Sequence, residues 1–61
     1  MNTKRMFEIY QTWLNGNGID FAKEMIQKHE AYNLASLAYQ HLRQETAHMF
    51  VLAIISELIE N

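Results

Sequence analysis

A chain of 61 residues holds one domain at most, and because it contains no cysteine, neither disulfides nor a thiolate zinc site can stabilise it. Five Lys and Arg against seven Asp and Glu give a formal charge of −2, which argues against binding to the phosphate backbone of nucleic acid. The apolar share of 49% is too high for a disordered chain, and without disulfides we expect so small a fold to depend on an unusually good core, a second subunit or a metal held by His and carboxylates.

The chain has no feature that predicts secretion or membrane insertion. Residues 1–5 carry charges with no apolar segment behind them, so we expect no secretory signal. The apolar run from Ala47 to Ile59 is shorter than the ~20 residues that a membrane-spanning helix needs. The lack of cysteine fits a reducing compartment, and we therefore predict a cytoplasmic protein with no membrane partner.

The first predicted element is an amphipathic helix over about residues 4–14, with Thr3 as its N-cap. Asn15-Gly16 is predicted to end it, with Gly16 in the left-handed conformation. One side of this helix carries the apolar residues expected in the core, namely Met6, Phe7, Ile9, Tyr10, Trp13 and Leu14.

A second helix is predicted over about residues 20–31, beginning at Asp20. Its apolar stripe contains Phe21, Met25, His29 and Tyr32. We place a break near residues 31–33, where Asn33 can cap the next helix, although no Gly or Pro enforces it.

The third predicted helix runs over about residues 34–60, since these 27 residues contain no Gly or Pro. It would be ~40 Å long at 1.5 Å per residue. Phe50, Ile54 and Leu58 make the back of its C-terminal half apolar as well, and two short helices have little surface with which to cover it. A second subunit would supply the missing cover.

A heptad-like stripe along this third helix predicts an oligomer interface. We expect an antiparallel homodimer in which Glu45 of one copy faces His48 of the other. The predicted interface residues are Leu34, Ala38, His41, Glu45, His48, Leu52, Ile55 and Ile59.

The polar middle of this stripe has the Glu-x-x-His spacing of metal-binding helical bundles, which makes His41, Glu45 and His48 weak metal candidates. His41 and His48 lie two turns apart, roughly 10 Å, which is too far to share one ion unaided. We therefore favour a polar layer inside a helix interface over a solvated face or a metal site, and we predict no metal and no cofactor. Tyr39 and Arg43, on the polar side of the helix, are candidate contacts for a partner.

The sequence as a whole predicts a single all-α domain over residues 1–61: a helical hairpin of two short helices plus one long C-terminal helix, completed by oligomerisation. No hydroxyl or thiol is presented on a turn beside a histidine, so we predict no enzyme activity. The predicted function is a protein–protein interaction module, a regulator or inhibitor that docks on an unidentified larger protein. The alternatives are a nucleic-acid-associated regulator acting as a dimer and a metal-binding helical bundle.

Overall fold

The computed structural model describes residues 1–60, and these residues form four helices and no strand, which confirms the all-α class. The helices are α1 (Thr3–Leu14), α2 (Phe21–Glu24), α3 (Lys28–His41) and α4 (Gln44–Glu60). The longest dimension is 27 Å, which is shorter than the ~40 Å of the single third helix predicted from the sequence. That prediction is wrong, because the C-terminal half of the chain folds back on itself.

Helix α1 follows the prediction closely and differs at its cap. Asn2, not Thr3, is the N-cap, and its Oδ1 accepts from the backbone N–H of Arg5 at 2.8 Å. The helix ends at Leu14, and Gly16 has φ +82°, as expected for the residue that reverses the chain after a helix.

Helix α2 begins where the sequence predicts and ends much sooner. Asp20 caps it by accepting from the backbone N–H of Lys23 at 3.1 Å. The helix stops at Glu24, because Met25 takes the left-handed conformation with φ 59°. The N–H of Ile26 then bonds back to the carbonyl of Phe21 at 2.9 Å. The predicted helix over 20–31 is therefore interrupted at residues 25–27, and its last residues, 28–31, belong to α3.

Met25 is held in a conformation that a side chain disfavours, and it is 82% exposed, so its side chain packs against little. Replacing Met25 with Gly removes the Cβ that makes this conformation costly. After allowance for the greater freedom of Gly in the unfolded chain, we expect a gain of about 0.5–1 kcal/mol in the free energy of unfolding. Urea denaturation measures it, with Met25→Ala, which keeps the Cβ, as the control. A loss of stability in Met25→Gly would mean that the Met25 side chain makes a contact that matters.

Arg5 connects α1 to the end of α2. Its guanidinium donates to the backbone carbonyl of Glu24 at 2.7 Å and to the Glu24 carboxylate at 3.0 Å. The same guanidinium lies 3.6 Å from Glu8. The pair with Glu24 is part-buried, so it fixes the position of α2 more firmly than an exposed ion pair would.

The predicted break at residues 31–33 is absent, since α3 runs through it, and the break falls instead at Leu42 and Arg43. Leu42 is extended, with φ −103° and ψ 159°. Its N–H still bonds to the carbonyl of Ala38, and the Arg43 carbonyl accepts from Ala47 in the next helix. This two-residue turn lets α4 return along α3 as an antiparallel helical hairpin.

The core lies where α1 and α2 pack against one side of this hairpin. Phe50 and Ile54 are fully covered by the chain's own helices, so the back of α4 needs no second subunit, contrary to our expectation. The buried residues are Met6, Ile9, Ile19, Phe21, Ile26, Ala31, Leu34, Ala38, Ala47, Phe50, Val51 and Ile54. None of the described helices is both long and apolar enough to cross a membrane.

Candidate interaction surface

The predicted interface stripe is divided between two different places in the structure. Leu34 and Ala38 are completely buried in the chain's own core, so they are not available to a partner. His48, Leu52, Ile55 and Ile59 are exposed on α4. The predicted antiparallel pairing also required one continuous helix from residue 34 to residue 60. The turn at Leu42 and Arg43 excludes that pairing.

The three weak metal candidates point to different neighbours. His41, at the end of α3, lies against α1, with its Nε2 3.4 Å from Thr3 Oγ1 and its ring 6.2 Å from that of Phe7. His48 contacts Tyr39 instead, and Glu45 is exposed in the first turn of α4. Between residues 1 and 60 no group of three or more His, Asp or Glu side chains is placed to hold a metal ion. The three side chains that were predicted to form one polar layer inside a helix interface therefore lie apart.

An exposed apolar surface runs along one side of the α3–α4 hairpin, where Tyr39 contacts His48 and Tyr32 lines a groove with Ile55. Three- and four-residue spacing places its members on one side of each helix. Tyr32 is 80% exposed and Tyr39 46%, while Leu52, Ile55 and Ile59 are 60%, 44% and 78% exposed. We call this surface the hairpin face; its residues are Tyr32, Ala35 and Tyr39 of α3 and His48, Leu52, Ile55 and Ile59 of α4.

The hairpin face is grooved where the two helices meet. An apolar groove of about 300 Å³ lies between the two helices and is lined by Tyr32 and Ala35 of α3 and Ile55 of α4. Lys28 and Leu58 line it as well. A depression of about 430 Å³ continues from it along α3, and it shares Tyr32 and Ala35 with the groove. Side chains of a partner helix could therefore enter a continuous apolar channel.

One hydrogen bond orders the end of the face nearest the turn. Tyr39 Oη lies 2.7 Å from His48 Nδ1, and the two rings meet edge to face with their centroids 5.6 Å apart. With the imidazole neutral and its proton on Nε2, Nδ1 accepts from the Tyr39 hydroxyl. This bond joins α3 to α4 across the face and satisfies two polar atoms that a partner would otherwise have to satisfy.

The two residues predicted as partner contacts lie at different parts of this surface. Tyr39 belongs to the hairpin face, whereas Arg43 is exposed in the turn beside Glu45. Whether either contacts a partner remains a prediction.

Tyr32, the most exposed aromatic residue of the face, was not predicted as a surface residue. The sequence pattern placed it on the apolar stripe of the second predicted helix, over about residues 20–31. In the structure it lies within α3, seven residues before Tyr39 and therefore on the same side of that helix. The spacing of Tyr32, Ala35 and Tyr39 is the signal that would have revealed it, had the break been placed correctly.

Comparison with known proteins gives no family model, no curated protein and no solved structure that matches this chain.

Proposed function

We propose that this protein is a non-enzymatic protein–protein interaction module, of the regulator or inhibitor class, that docks on its partner through the hairpin face. The observation that carries the proposal is the exposure of Tyr32, Leu52 and Ile59 on one continuous surface. Single exposed apolar residues are common in proteins, but contiguous apolar surfaces mark sites of interaction. The face also has the composition of an interface centre, with aromatic and aliphatic residues inside and charges at its ends.

The polar side chains give less support to an enzyme. An aliphatic hydroxyl lies near a histidine at Thr3 and His41, but their 3.4 Å separation is long for a hydrogen bond, and the pair is open to solvent. The hydroxyl beside His48 belongs to Tyr39 and lies on the face itself. Both histidines are better explained as parts of helix contacts.

Two leucine substitutions test the proposal, because Leu52 on α4 and Leu14 at the end of α1 are similarly exposed, at 60% and 52%, and only Leu52 belongs to the hairpin face. We expect Leu52→Lys to abolish association and Leu14→Lys to leave it intact, since a charge in the middle of an apolar interface must be desolvated. Lys is also tolerated at residue 14, where the C-terminus of α1 favours a cation. The measurement is co-purification of each tagged variant from the native host, together with self-association of the purified chain. If neither kind of association distinguishes the two variants, the hairpin face is not a docking surface and the proposal fails.

A further inference from the structure

We infer that the occupant of the hairpin face is a second copy of this chain, and that the two hairpins form a two-fold four-helix bundle with both α3–α4 turns at the same end. This inference rests on the proposed function, because it names the partner of the same surface. It replaces the antiparallel pairing of one long helix, which the turn at Leu42 and Arg43 excludes.

The exposed area of the face matches what a dimer requires. Its two tyrosines and three aliphatic residues offer roughly 500 Å² of apolar surface, given their exposed fractions and ~200 Å² for a whole aromatic side chain. A standard interface covers about 800 Å² on each partner, of which about 60% is apolar. A second hairpin of equal length would therefore cover the whole face.

The chemistry of the two helices favours contact between α3 of one copy and α4 of the other. The contribution of α3 is aromatic, from Tyr32 and Tyr39, whereas that of α4 is aliphatic. A two-fold axis parallel to the helices brings residues at the same height together. Because Tyr32 and Ile55 line the same groove, Tyr32 would then pack on Ile55 of the second copy, one turn from both Leu52 and Ile59. Contact of α3 with its own copy would instead bring tyrosine hydroxyls together.

Charges at the ends of the face favour the same arrangement. Lys28, at the start of α3, would meet the last turn of α4 in the second copy, where Glu60 and the helix dipole are both negative. At the other end, Arg43 would meet Glu45 of the second copy. With the turns at opposite ends, α4 would lie against its own copy and Glu60 would approach Glu45, which is a like-charge contact.

The first experiment is sedimentation of purified wild-type, Leu14→Lys and Leu52→Lys chains over roughly 1–200 µM, a range across which a dimer's population responds to mass action. We expect dimers for wild type and Leu14→Lys, and a dissociation constant raised at least about tenfold for Leu52→Lys, as for loss of a central interface contact. Since Leu52 is exposed in the monomer, circular dichroism should show Leu52→Lys as helical as wild type. A monomer throughout the range, or equal dissociation constants, overturns the inference.

The second experiment determines which ends meet. The chain has no cysteine, so Gln44→Cys, at the turn, accepts one spin label per copy. We expect the two labels to lie close together in the dimer. With the turns at opposite ends, their separation would be greater by about 25 Å, the length of a 17-residue helix, and this result would overturn the proposed arrangement.

The two proposals fail in different ways. A monomeric chain that captures another protein from its host through Leu52, and not through Leu14, would keep the proposed function and overturn the homodimer. A chain with no association that depends on Leu52 would overturn both.

Discussion

Phe50→Ala is expected to remove about 3–5 kcal/mol from the free energy of unfolding, as truncations of buried aromatic residues do. Phe50 is completely buried on α4. Its ring meets Tyr10 of α1 edge to face at 5.5 Å and lies 5.3 Å from the ring of Trp13. Because the mutation opens a cavity and separates two aromatic pairs, each worth about 0.5–1.5 kcal/mol, α1 should loosen from the hairpin. A 61-residue domain has only ~3–9 kcal/mol to lose, so this single substitution should remove a large part of its stability.

Urea denaturation followed by circular dichroism measures this loss, and the fluorescence of Trp13 reports on the same contact, since it is the chain's only tryptophan. Phe7→Ala is the matched control, because Phe7 belongs to the same helix as Tyr10 and is 42% exposed. Phe50→Leu, which fills most of the volume, should lose less than Phe50→Ala. Equal stability of Phe50→Ala and Phe7→Ala would show that α1 does not pack on α4 through this ring.

Helix α1 could be predicted from the sequence because its local signals agree. The apolar spacing from Met6 to Trp13 has a helical period, and Asn15-Gly16 supplies a residue that accepts positive φ. Two good capping residues, Asn2 and Thr3, stand side by side at the other end. The choice between them depends on which side chain reaches the N–H groups of the first turn, and the sequence does not specify that.

The two breaks at Met25 and at Leu42 and Arg43 were not predicted, and neither is marked by Gly or Pro. Met25 takes a conformation that usually calls for Gly or Asn, and Leu42 and Arg43 are both good helix formers. Packing overrides propensity at Leu42 and Arg43, since a helix that continued from α3 into α4 would leave Phe50 and Ile54 exposed. A turn after His41 buries them against α3 and α1.

The change of pattern along the chain does contain a signal for the second break. Before His41 the side of the helix carrying Ser36 and Gln40 is polar, whereas after it Phe50 and Ile54 require cover. We explained that change by a second subunit, but a turn explains it within one chain. Glu45 supports the turn as well, since an acid is favoured in the first turn of a new helix.

The hairpin face could be predicted only in part for the same reason. Leu52, Ile55 and Ile59 were correctly placed on one side of a helix. The heptad spacing continues across the turn at Leu42 and Arg43. Leu34 and Ala38, which lie in the core, were therefore assigned to the same stripe as the exposed residues of α4. The helical period of the apolar residues was correct. Which side of each helix faces the core depends on the tertiary fold, and the period does not specify it.

Leu34→Ala and Leu52→Ala separate these two roles with the same change of side chain. Leu34 is completely buried, so we expect a loss of about 2–5 kcal/mol at any protein concentration. Leu52 is mostly exposed, so at ~1 µM, where a dimer of moderate affinity has dissociated, its truncation should cost less than about 1 kcal/mol. At ~100 µM the cost of Leu52→Ala should increase, because the wild-type chain then gains stability from dimerisation that the variant loses.

Urea denaturation at both concentrations measures how the loss of stability in each variant depends on protein concentration. Leu14→Ala is the control, since Leu14 is an exposed leucine outside the hairpin face. If Leu52→Ala at the lower concentration loses as much stability as Leu34→Ala, then Leu52 belongs to the core and the helical hairpin is wrong. If its loss is small and unchanged between the two concentrations, the hairpin stands and the hairpin face does not join two copies. If the hairpin pairs with itself, the loss should increase with concentration for Leu52→Ala and not for Leu34→Ala or Leu14→Ala. Dimerisation adds stability as the concentration increases, and of these three residues only Leu52 lies in the hairpin face.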